Sequence, residues 1–150
     1  MSRAKRHLVV ETPKGRIIKI GDTKCVLEWN PGFGPEHTVG FNRVQMYVDN
    51  EVLRLSTPYV PKRTGALIKS GLLGTDIGSG VVEYVAPYAR YPYYGKLMVG
   101  EAPKRTTDQP LTYGRGSLRG PYWFERMKVD HKAKILAGAR KLQGGDNGRL

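Results

Sequence analysis

The sequence predicts an α+β domain: an antiparallel β-sheet built from two hairpins, flanked by a long central helix and a C-terminal helix. Three observations carry that expectation. Apolar and β-branched runs flank a Gly-Asp turn within 16–30 and a Gly-Ser-Gly turn within 72–86. Apolar residues recur at helical spacing from Phe41 to Leu55, and again from Phe124 to Leu142. At 150 residues, with no repeat and no break in composition, one domain over 1–150 is expected. A chain of that length buries roughly 70% of its unfolded surface on folding, enough for a core without staples.

Residues 1–6, Met-Ser-Arg-Ala-Lys-Arg, read as a flexible basic arm. The first hairpin pairs Arg16–Ile20 with Lys24–Asn30 across Gly21-Asp22-Thr23. Alternation puts Cys25, Leu27 and Trp29 on one face, so Cys25 is expected as a small core residue. Pro31-Gly32-Phe33-Gly34-Pro35 interrupts the chain, and a helix is expected from Pro35-Glu36, where proline and acid suit a first turn. Its stripe is Phe41, Val44, Val48, Val52 and Leu55, ending before Pro58; Met46 and Leu53 lie off that stripe, and Asp49 falls among the polar residues between. Pro58-Tyr59-Val60-Pro61 is extended, Thr64 caps a short turn, and Leu72–Ile77 with Val81–Ala86 makes the second hairpin. Tyr88, Tyr91, Tyr93 and Tyr94 crowd around Arg90. Residues 96–120, polar and interrupted by Pro and Gly, read as a long loop; 121–142 as the final helix; 143–150 as a flexible tail.

Composition removes several classes. No apolar run approaches the roughly 20 residues of a membrane span, and no signal-peptide apolar segment follows the basic arm. A single cysteine forms neither an internal disulfide nor a thiolate metal site. No HExxH, CxxC or P-loop is present; Gly32-Phe33-Gly34 lacks the rest of a dinucleotide fingerprint, and Ser79 sits in a hairpin turn, not a nucleophile elbow. His7, His37 and His131 are scattered, and neighbours such as Asp130 and His131 point about 100° apart on a helix. Neither an enzyme, nor a cofactor, nor a metal site is expected. The net charge of +12, half of it in 101–150, favours an anionic partner: nucleic acid or an acidic protein face. For the tyrosine cluster three roles stay open: packing around a turn, a subunit interface, and base stacking.

The run Pro61-Lys62-Arg63-Thr64-Gly65-Ala66-Leu67-Ile68-Lys69-Ser70 is followed by Val82-Glu83-Tyr84-Val85-Ala86-Pro87-Tyr88-Ala89-Arg90-Tyr91 and Tyr94-Gly95-Lys96. With Val48–Leu55 and Arg119-Gly120-Pro121-Tyr122-Trp123-Phe124-Glu125-Arg126-Met127-Lys128, this order resembles the minor capsid proteins of tailed bacteriophages, especially siphophages. The T-G-A-L … P-Y-A spacing is similar to the wider group of tail-completion, or neck, proteins. The likeness runs from about Lys14 to about Ala139. The N-terminal strands and the 96–120 segment depart from the wider neck pattern.

The resemblance implies a structural virion protein, made in the host cytoplasm and placed in the neck between head and tail. It would be a head–tail connector or tail-completion subunit in a homo-oligomeric ring of six or twelve copies through which DNA passes. Its partners would be neck and tail proteins, with non-specific contact to packaged DNA and none to membrane. The candidate interface residues are Tyr88, Arg90, Tyr91, Tyr93, Tyr94 and Trp123. The candidate DNA-facing cations are Lys104, Arg105, Arg115 and Arg119. A tail-terminator or tail-tube subunit is the alternative within the virion. Of another class is a basic nucleic-acid-binding module, clamping phosphates with Arg3, Lys5, Arg6 and the C-terminal helix.

Overall fold

The computed structural model describes residues 7–101, 103–113 and 118–144; the basic arm at 1–6, Arg115 and tail residues 145–150 lie outside them. The chain is α+β, with two antiparallel hairpins and two long helices. The first hairpin forms where the sequence places it. Strand β1 (Arg16–Ile20) pairs with β2 (Thr23–Leu27), Ile18 opposite Cys25 and Lys19 opposite Lys24, and Gly21 supplies a positive φ of 56° at the turn. Every residue of both strands is exposed, Cys25 included, so the expected core role of Cys25 is corrected: the hairpin stands outside the core.

Helix α1 (Phe33–Ser56) begins two residues before the expected Pro35 because its first amides find partners outside the helix. The Gly34 amide donates to Thr12 Oγ1 at 2.9 Å. Thr38 Oγ1 accepts from the Val10 amide at 2.9 Å and donates to the Gly34 carbonyl at 2.8 Å. These bonds stitch the segment before β1 to the start of α1. At its other end the chain turns through Thr57 into Tyr59 and Val60, whose amides both donate to the Ser56 carbonyl.

The second hairpin is displaced from its expected place. Leu72–Gly74 instead completes helix α2 (Ala66–Gly74), which starts from Gly65 at a left-handed φ of 83°. Residues 81–86 run extended beside α2, with the Glu83 amide on Thr75 Oγ1 at 3.1 Å and the Val85 amide on the Ser70 carbonyl at 3.4 Å. Glycine permits this approach: a Cβ on Gly71 would meet the Tyr84 ring at 2.6 Å, and one on Gly74 would meet Val85 at 2.5 Å.

The real second hairpin lies in 96–110, where a long loop over 96–120 was expected. After the short helix α3 (Arg90–Tyr94), β3 (Lys96–Val99) pairs antiparallel with β4 (Arg105–Pro110), with an irregularity between Lys96 and Met98. Its polar Arg-Thr-Thr-Asp-Gln run carries no apolar alternation, which hides a solvent-facing strand from pattern reading. The two hairpins form separate two-stranded sheets, not one.

Helix α4 (Trp123–Gly144) closes the fold antiparallel to α1. Tyr47 lies against Gly138, whereas Tyr59, one helix length on, reaches Asp130. The core gathers Leu55, Tyr59, Val60, Leu67, Ala89, Trp123, Met127 and Ile135, with Val48, Val52, Tyr84 and Tyr93 packed around it. Met127 and Ile135 occupy the expected stripe of α4; Phe124 and Leu142 stay at the surface. Leu53, off the α1 stripe, is nonetheless buried. No helix among the described residues is long and apolar enough to cross a membrane.

Asp49, expected among surface polar residues, is 2% exposed. Its Oδ2 accepts from the Gly78 and Gly80 amides at 2.8 and 3.1 Å, and its Oδ1 from Gln45 Nε2 at 2.8 Å. One carboxylate thus pins the 78–80 turn onto α1. Asp49→Ala leaves buried donors unmet and is expected to cost about 2–4 kcal/mol. Asp49→Asn, which retains an acceptor oxygen, should cost less; chemical denaturation of the three proteins checks the order.

Candidate interaction surface

Helix α3 is a single turn, ended by Gly95 at a left-handed φ of 71°. It delivers Tyr93 into an edge-to-face cluster. The Tyr93 ring lies 4.6 Å from Trp123, 5.3 Å from Tyr94 and 5.6 Å from Tyr122, and Tyr84 meets Trp123 at 5.5 Å. Such contacts contribute about 0.5–1.5 kcal/mol each beyond area burial. The Tyr93 hydroxyl bonds the Glu125 carboxylate, and the Tyr113 hydroxyl donates to the Pro92 carbonyl at 2.5 Å. Tyr122 adopts a positive φ of 49°, an uncommon conformation for a side chain of this size, fixed by its amide bond to the Tyr93 carbonyl at 2.9 Å.

The expected interface residues divide in two. Trp123, 2% exposed, and half-buried Tyr93 are built into the fold. Tyr88, Arg90 and Tyr94 are exposed, and Tyr91 is half-buried. Two further aromatics were not among the sequence candidates: Tyr122 and Phe124, exposed by 45% and 40%. They share with Tyr94, Arg90, Tyr84 and Val82 the neighbourhood of an open groove of about 470 Å³. Their signal lies in Pro121-Tyr122-Trp123-Phe124, which in sequence reads only as a helix start.

The expected DNA-facing set also divides. Lys104 and Arg105 are exposed at the beginning of β4. Arg119 is corrected. Its guanidinium donates to the Val60 carbonyl at 2.6 Å and the Thr57 carbonyl at 3.2 Å, serving the carbonyl-rich end of α1. Arg126 does a similar task, donating to the Pro121 and Leu118 carbonyls at 2.8 and 2.7 Å while lying over the Tyr59 ring. Lys128, Lys132, Lys134, Arg140 and Lys141 are exposed at positions spread around α4.

Asp130 and His131 diverge along α4 as adjacent helix residues do, yet Tyr59 reaches both. Its hydroxyl donates to Asp130 Oδ2 at 2.5 Å, with His131 Nε2 at 3.4 Å. Among the described residues no three His, Cys, Asp or Glu side chains are placed to hold a metal ion.

Several phenols resist ionisation. Burial pushes Tyr84 up to about 12; burial and the Glu125 carboxylate raise Tyr93 further; the Asp130 hydrogen bond raises Tyr59; and burial raises Tyr113. The folded state therefore favours the neutral phenols. Their contribution to stability is intact below the unfolded value of about 10 and is lost as pH rises through the folded values. Alkaline unfolding should begin above pH about 10, with Tyr84 ionising near 12; phenolate absorbance followed alongside circular dichroism checks this.

Arg119→Gln is expected to lower stability by about 1–3 kcal/mol through lost charge-assisted bonds to α1, with the slope of DNA affinity against salt unchanged. Lys104→Ala with Arg105→Ala should do the converse. Thermal melts and a salt series of DNA binding separate the two.

No family model, no curated protein and no solved structure matches this chain, so the surface is interpreted from its own geometry.

Proposed function

We propose that this chain is a structural subunit of a tailed-phage virion, a minor capsid or head–tail connector protein that works by fitting against copies of itself and its neighbours in the neck. The observation that carries the reading is uncovered apolar surface. Ile20, Leu73 and Val129 are exposed by 77%, 84% and 84%. With the open groove lined by Tyr84, Tyr94 and Phe124, these side chains support a surface that a partner completes.

The residues that carry the phage resemblance are also those that organise the fold. Gly65 starts α2, Tyr84 packs on Trp123, Arg119 ties 118–121 to the end of α1, and Arg126 ties it to the start of α4. In a ring, the exposed cations of α4, with Lys104 and Arg105, provide a weak, salt-screened attraction for passing DNA. An isolated nucleic-acid module would instead bind duplex DNA tightly on its own, with affinity falling steeply as salt rises.

Mass spectrometry of purified phage particles tests the proposal. The chain is expected among the virion proteins at a fixed ratio to the portal; finished, infectious particles without it would overturn the reading.

A further inference from the structure

Two surfaces of the chain are complementary in three independent ways. The hairpin β1–β2 has two faces. One carries Ile18, Ile20, Cys25 and Leu27 together with Arg16 and Thr23, and the other sets Lys19 directly opposite Lys24 and Ile17 opposite Val26, all exposed. A two-stranded hairpin alone is marginal in water, and opposed like charges weaken it further. It is completed by another strand, an apolar cover on one face and an anion near the other.

The extended segment 81–85 offers all three. The Glu83 and Val85 amides point inward, to Thr75 and Ser70. By the alternation of a strand, Val82 and Tyr84 turn their backbone groups outward, an open edge of the kind that accepts an added strand. On the Val82–Tyr84 side lies the aromatic groove with Tyr94 and Phe124. On the other side Val81 and Val85 are exposed around Glu83. Charge agrees: residues 14–27 hold four basic side chains against one acidic, whereas 72–86 hold Asp76 and Glu83 and no Lys or Arg.

We infer that the hairpin of one copy adds as strands to the 81–85 edge of the next copy, its apolar face over the Tyr94–Phe124 groove and its lysine pair toward Glu83. The contact joins two different surfaces, so it is head-to-tail and propagates into a ring or a filament, not a closed twofold dimer. The inference deepens the proposed assembly role and rests on it, because the occupant is a second copy.

The test uses two full-length variants at exposed positions, Leu27→Asp on the hairpin and Phe124→Lys in the groove. Sedimentation velocity over a concentration series is expected to show assemblies for the wild type and monomers for each variant, with circular dichroism and melting temperature unchanged. An equimolar mixture retains one good hairpin and one good groove, and should recover association that stops at the dimer. Should Leu27→Asp alter folding, Ile18→Asp replaces it. Variants that assemble like the wild type, a mixture that recovers nothing, or a wild type monomeric at every concentration would each overturn the inference. Oxidation adds a check: Cys25 is the sole cysteine, so a disulfide-linked wild-type dimer as the main product would signify hairpin against hairpin and also overturn it. None of these outcomes decides whether the chain is present in virions, so this contact and the virion role stand or fall separately.

Discussion

The turn at 57–60 is the joint on which the described fold depends. Val60 is fully buried and Tyr59 nearly so, although both follow directly on a helix end that leaves carbonyls without intrahelical partners. Those carbonyls are served from far along the chain. Arg119 takes Thr57 and Val60, and the Gly120 amide donates to Tyr59 at 3.0 Å. The Tyr59 hydroxyl then reaches Asp130 on α4. A single turn thereby fixes the end of α1, the approach of 118–121 and the register of α4.

That joint also explains why the core is small and placed at one end. The buried apolar residues cluster where α1 ends, α2 begins and α4 starts. Toward the other end of the helix pair the contact thins: Phe41 and Leu142 are exposed by 39% and 37% beside an open cleft. The first hairpin contributes nothing to the core. Stability and uncovered apolar area are thus segregated along the molecule, which agrees with the proposed assembly role.

Legibility in the sequence followed the same division. Both long helices were readable because 3.6-residue periodicity is enforced by packing on one side, and Val48, Val52, Met127 and Ile135 obey it. The first hairpin was readable from Gly21-Asp22, yet its burial was not, because alternation reports which residues share a face and not whether anything covers that face. Leu72–Ala86 misled for a different reason. A short apolar run fits a buried helix end as well as a strand, and the left-handed Gly65 decided for the helix. Strand β4 escapes pattern reading since its Asp108 and Gln109 side chains face water. Of the candidate surface, composition shows the tyrosines and the cation of Arg119, but not which tyrosines stay exposed nor the two carbonyls that Arg119 serves.

Charge sets the remaining condition on assembly. Copies carrying +12 repel at long range, but at physiological ionic strength that repulsion is screened beyond about 8 Å. What survives screening is local, and locally the chain is not uniformly basic. Residues 72–86 are acidic within a basic molecule, and the Glu83 amide among them donates to Thr75. A surplus spread evenly would have kept copies apart from every direction. Cations around β1–β2 and acids within 72–86 make an approach between these two surfaces electrostatically favourable, and apolar side chains stand uncovered on both.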